Sequence, residues 1–117
     1  NGIPPGTLTD VTIPSGKTNY PTVDKTVYCK NLTIESDAAG DGSLIGTDYI
    51  MADGMAVVER YLTGGQWHDV AAMTVGATIE SFYFNHSPDV WMNTYNEPDN
   101  TRTGLTDLAT PMELGLG

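Results

Sequence analysis

Short runs in which apolar and Thr residues alternate, cut by glycine and proline turns at close and regular spacing, commit this chain to short β-strands. The cuts fall at Pro14-Ser15-Gly16, across the Gly-rich acidic segment from Ser36 to Ser43, at Asp53-Gly54 and at Gly64-Gly65. Thr, Gly, Asp and Asn are common, whereas Leu, Lys, Glu and Arg, which fill the surfaces of helical domains, are sparse. The fold class that follows is all-β, a short-strand β-sandwich or a solenoid-like single domain. A length of 117 residues suits one domain with its own core.

The strands can be placed in outline. The opening Gly2, Pro4, Pro5 and Gly6 make residues 1–22 an arm carrying a short strand, Thr7 to Ile13, which either pairs at home or is exchanged with a neighbour. Residues 23–117 form the β domain. From Thr26 to Glu35, Val27 and Cys29 share one parity while Leu32 and Ile34 share the other, so one flat register cannot bury all four. A bulge or bend at Lys30-Asn31 resolves the conflict. Met55 to Leu62 and Trp67 to Val75, joined across Gly64-Gly65, form the most hairpin-like pair. The segments Ile79 to Phe84 and Val90 to Tyr95 supply a second layer, with Phe82, Phe84 and Trp91 in its core, and the chain from Thr103 onward is a weak strand or arm. No exact internal repeat is expected, although strand spacing between Thr26 and Val75 suits the coils of a solenoid.

Charge excludes two classes of partner. Five basic residues against 15 acidic ones give a formal net charge of −10, and the cations are scattered singly. Nucleic acid and anionic membrane surfaces both require concentrated positive charge, so neither is expected as a partner. No apolar run approaches the ~18 residues that a membrane-spanning helix needs. Cys29 is the lone cysteine, so an intrachain disulfide is impossible.

Catalysis needs groups within reach of one another, and the candidates are thin. His68 neighbours Asp69 and Glu59 lies in a strand-like run, but adjacent strand residues point to opposite faces. His86 sits in a loop with Ser87 and Asp89, without a nucleophile elbow or a Gly-rich oxyanion turn. The expectation is a non-enzyme. Calcium is the only cofactor that a local pattern admits: Asp37, Asp41, Gly42 and Asp48 match positions of a calcium loop. Ala39 misses the third ligand position and Asp48 stands where a bidentate Glu belongs, so an acidic turn is the simpler reading. Asn96 to Asn100 is likewise a polar turn.

Trp67, Trp91 and Tyr95 are the candidate ligand-binding residues, because a flat aromatic face stacks on the apolar side of a sugar ring. Asn31-Leu32-Thr33 matches an N-glycosylation acceptor at Asn31, and Asn85-His86-Ser87 matches a poorer one ahead of Pro88.

Three phrases carry a family likeness: Asn31-Leu32-Thr33-Ile34-Glu35-Ser36, Val58 through Trp67-His68, and Tyr95-Asn96-Glu97. Over roughly residues 23 to 117 the chain resembles a β-rich module of large secreted and cell-surface proteins of Bacteroidota, of the kind carried by type IX secretion substrates. Where that family continues with an aromatic and a Ser-Ser-Pro-like segment, this chain has Asp69, Ala71, Ala72 and Met73. The resemblance implies an extracellular structural or adhesion module at a bacterial surface. Two further expectations complete the picture: head-to-tail self-association into a filament through the terminal strand and Leu105, Leu108, Leu114 and Leu116, and, as the alternative function, a carbohydrate-binding module.

Overall fold

The computed structural model describes residues 3–82 and 90–114. The fold is all-β: nine short strands are present among the described residues, and helix is confined to two single 3-10 turns, Thr47–Tyr49 and Ile79–Phe82. The chain divides into two compact units, Asn1–His68 and Asp69–Gly117.

The first unit is built by parallel pairing between strands far apart in sequence. Strands β1 (Val11–Ile13), β2 (Val27–Cys29) and β3 (Leu32–Ile34) are followed by the tiny antiparallel pair β4 (Ser36–Asp37) and β5 (Gly40–Asp41), then by β6 (Ile50–Ala52) and β7 (Ala56–Val58). One sheet has the order β1-β3-β7 and a second pairs β2 with β6, all parallel. Val11 lies opposite Leu32 and Leu32 opposite Ala56, register steps of 21 and 24 residues. Val27 lies opposite Ile50, and an isolated parallel bridge joins Thr22 to Ile45, both steps of 23. Successive stretches of chain are therefore paired in parallel, with Thr33 opposite Thr12 and Ile34 opposite Ile13. Val11 over Leu32 and Ile13 over Ile34 and Val58 point inward, while Thr12 and Thr33 occupy the opposite face.

Ile13, Cys29 and Leu32 are the buried centre, with Val11, Tyr20, Ile34, Leu44, Ile50 and Ala52 packed around them. Both parities of the run Val27 to Ile34 reach this one core because the chain bends at Lys30-Asn31, as the pattern required. The bend is stacked on others: Lys30 N–H donates to Thr9 O and Val11 N–H to Asn31 O, and one level on Asp53 N–H donates to Cys29 O and Gly54 N–H to Lys30 O. An apolar cavity of about 200 Å³ remains beside the core, lined among others by Pro5, Val11, Val27, Cys29 and Leu44.

The second unit contains the antiparallel hairpin β8 (Asn93–Asn96) and β9 (Thr101–Gly104). Asn100, at a left-handed φ of 50°, closes its four-residue turn, with its N–H on Glu97 O. Ile79, in the 3-10 turn, is fully buried, and Ala72 is buried with it. The chain after the hairpin folds back across both: Ile79 N–H donates to Thr110 O, Met112 N–H to Ala77 O, and Ala72 bridges Leu114.

Three expectations are corrected. Met55 to Leu62 and Trp67 to Val75 form no hairpin; β7 instead takes Leu32–Ile34 as a parallel partner, which buries Val58 over Ile34. A tight turn at Gly64-Gly65 would have left those side chains on a two-stranded ribbon with little to cover them. Trp91 is 78% exposed rather than core. Leu105 and Leu108 are half-buried within their own unit, so they are not spare apolar surface. Tyr83 to Asp89, with Phe84 and the Asn85-His86-Ser87 acceptor, and Leu116 lie outside the described residues.

Candidate binding surface

Asp37 and Asp41 sit at the β4-β5 turn, where their oxygens are already engaged. Ser15 Oγ donates to Asp37 Oδ2 at 2.6 Å and Ala39 N–H to Oδ1 at 2.7 Å. The Ser15 hydroxyl, then the Ala39 amide, hold the Asp37 carboxyl below its ordinary range. Asp41 takes the Ser36 hydroxyl at 2.5 Å on Oδ1 and the Arg60 guanidinium at 2.8 Å on Oδ2. That ion pair is half-exposed on both sides, where such pairs contribute about 0 to 1 kcal/mol. Asp48 stands apart in the 3-10 turn Thr47–Tyr49. Among the described residues no three His, Cys, Asp or Glu side chains converge as metal ligands.

Ser36 is the hub of this corner, and nothing in its sequence context marked it. Its Oγ accepts the Tyr61 N–H at 2.7 Å while its own N–H donates to Glu59 Oε2 at 3.2 Å. Glu59 and Arg60, a charged pair after β7, thereby tie that strand's exit to the turn beneath it.

Asn31 is held on both sides of its amide: Nδ2 donates to Asp10 Oδ1 at 2.7 Å, and Oδ1 accepts the Met55 N–H at 2.9 Å. The acceptor atom of the glycosylation pattern is thus a component of the stacked bend. Cys29 is 2% exposed, and its thiol is pushed above 9.0 by burial first, then by the carboxylates of Asp53 and Asp10.

Trp67 is 65% exposed in a loop that hydrogen-bonds to itself. His68 Nε2 lies 2.9 Å from Thr63 O and 3.4 Å from Gln66 Nε2. Gln66 Nε2 bonds Thr63 Oγ1 at 2.8 Å. Among the described residues no carboxylate or hydroxyl is hydrogen-bonded to the His68 ring.

The hairpin holds the other two aromatic candidates. Tyr95 lies opposite Arg102, whose guanidinium carbon is 5.8 Å from the ring centroid, within cation–π range. Tyr95 Oη donates to Asn100 Oδ1 at 3.0 Å, which fixes the ring from its far end. Leu105 N–H donates to Met92 O, so the ladder runs one step beyond β8. Met92 and Leu105 are half-buried, and the opposite parity within β8, Asn93 and Tyr95, forms the other face of the ladder. Trp91, two positions before the strand, is exposed like Tyr95, while Trp67 belongs to the first unit. No family model, curated protein or solved structure matches this chain.

Proposed function

We propose that this chain is a non-enzymatic extracellular module of a bacterial surface or secreted protein, serving structure or adhesion, and that its first unit is a short run of parallel β-solenoid. One observation carries the reading: three strands of the same chain, Val11–Ile13, Leu32–Ile34 and Ala56–Val58, stack parallel and in register with hydrogen-bonded bends between them. Stacked coils of this kind make a stiff rod whose length is set by repeat number, a property useful to a spacer. The net charge of −10 keeps such rods from clumping sideways. Strands β1 and β7 form the two edges of their sheet, the positions through which copies would add head to tail. The resemblance to Bacteroidota surface modules agrees with this role.

Two experiments test it. Incubation with polysaccharides, esters and peptides yields no turnover; turnover abolished by His68→Ala or Glu59→Gln overturns the non-enzymatic reading. Light scattering and electron microscopy on the intact chain and on one lacking residues 1–13 test assembly. Head-to-tail growth predicts oligomers that the deletion removes, and a strict monomer at high concentration and screening salt contradicts it.

A second reading, carbohydrate binding, is favoured by the exposure of Trp91 and Tyr95, four residues apart along one arm of the hairpin.

A further inference from the structure

The geometry points to the outward face of the hairpin Asn93–Asn96 and Thr101–Gly104 as a two-point platform for a neutral polysaccharide strand, with Trp91 and Tyr95 as its stacking surfaces. This deepens the carbohydrate reading and rests on it.

Trp91 precedes Tyr95 by four residues, and the Leu105 N–H bond to Met92 O carries the pairing to within one residue of Trp91; continued at the rise of a strand, that spacing is about 13 Å, with Asn93, which shares the Tyr95 face, midway. Opposite Asn93 stands Gly104, which contributes no side chain. The result is a shallow floor between two aromatic walls, with the Asn93 amide at its edge. An amide that both donates and accepts suits hydroxyl groups, and an aromatic face suits the C–H side of a sugar ring.

The two walls are unequal in rigidity. Tyr95 is clamped by Asn100 at its hydroxyl and by Arg102 at its ring, so a ligand finds it already oriented. Trp91 lies beyond the end of β8 and is the more exposed of the two at 78% against 56%.

Charge selects the class of sugar. Residues 69–117 contain one cation, Arg102, against seven side-chain carboxylates, and Glu97 and Asp99 stand at the hairpin tip. An anionic glycan would enter a negative field for a single countercharge already set against Tyr95. A neutral chain enters without that penalty.

The test is titration of the whole 117-residue chain with cellohexaose, xylohexaose and mannohexaose, and with hexagalacturonate as the charged comparison, read by the indole NMR signals of Trp67 and Trp91. At least one neutral hexamer is expected to move the Trp91 signal and leave Trp67 in place. Trp91→Ala and Tyr95→Ala should each weaken binding by about five- to tenfold. Gly104→Val should weaken it comparably by filling the floor; a β-carbon there meets Asn93 Oδ1 at an ordinary 3.6 Å, so this variant keeps the fold. Thr94→Ala with Thr103→Ala, on the reverse face, should change nothing. A neutral hexamer that binds equally well to Trp91→Ala, or moves only Trp67, overturns this site while leaving carbohydrate binding standing. No response from any neutral hexamer up to about 10 mM overturns both. Equal or tighter binding of hexagalacturonate overturns the choice of a neutral ligand.

Discussion

Asn31 donates from Nδ2 to Oδ1 of Asp10 at 2.7 Å, joining two bends that are 21 positions apart in the chain. The same amide accepts from Met55 N–H, so one side chain links three successive levels of the stack. Asn31→Ala removes both bonds and strands the Met55 donor, and a loss of about 1 to 3 kcal/mol is expected in denaturant unfolding. Asn31→Asp sets a second carboxylate against Asp10 as well. Its deficit should exceed that of the alanine at neutral pH and shrink in acid, where protonation relieves the repulsion.

Gly54 and Gly64 are expected to respond oppositely to a methyl group. A β-carbon at Gly54 would run into the Asn31 side-chain oxygen and would lie 2.9 Å from Lys30 O, both parts of the bend. At Gly64 nothing lies within 4 Å. Thermal unfolding of Gly54→Ala should show a loss of about 2 kcal/mol or more, whereas Gly64→Ala stays within about 0.5 kcal/mol of the parent.

Burial of Cys29 makes two results follow from one position. The folded thiol holds its proton above the ordinary 9.0. The unfolded chain therefore releases a proton first as pH rises, and folding stability falls between that ordinary value and the folded one. Cys29→Ala should flatten this alkaline decline. Reaction with a thiol reagent such as dithionitrobenzoate should proceed at the opening rate of the first unit, and rapid stoichiometric labelling of the native chain would contradict the buried placement.

Asp37 shifts the other way. Its carboxyl is held low by the Ser15 hydroxyl and the Ala39 amide, so the stability it lends is present above the ordinary 3.8 and disappears as pH falls through the lowered value. Ser15→Ala should move the Asp37 titration, followed by carboxyl carbon NMR, back toward the ordinary value. An unchanged titration would mean that this hydrogen bond does not set it.

The sequence disclosed the strand class and one structural device in particular. Opposed parities at Val27, Cys29 and at Leu32, Ile34 demanded a bend at Lys30-Asn31, because side-chain direction in extended chain alternates with period two, and the bend is there. What it hid was partner choice. Parallel pairing links residues more than twenty apart, and local alternation is blind to it. A signal did exist: Asp10-Val-Thr-Ile-Pro-Ser and Asn31-Leu-Thr-Ile-Glu-Ser share a pattern 21 residues apart, and the second lies opposite the first in register. Turn chemistry at Gly64-Gly65 and the alternation of Trp67 to Val75 point to a hairpin, yet β7 pairs instead with Leu32–Ile34, which places Val58 opposite Ile34. Trp91 was expected in the core because large aromatics usually are buried; its parity relative to Met92 and Leu105 depends on a strand pairing that only the fold reveals. The Ser36 hub was illegible for the same reason, since its partners Glu59 and Tyr61 come from the next level of the stack.

Parallel in-register pairing of strands within the first unit can be read by backbone NOE spectroscopy on isotopically labelled protein. Strands about 4.8 Å apart bring amide and α protons within NOE range. Cross-peaks are expected linking Thr12 with Thr33, Thr33 with Val57, and Tyr28 with Met51, in the staggered pattern of parallel strands. Cross-peaks that instead pair Met55 to Leu62 with Trp67 to Val75 in an antiparallel ladder would contradict it.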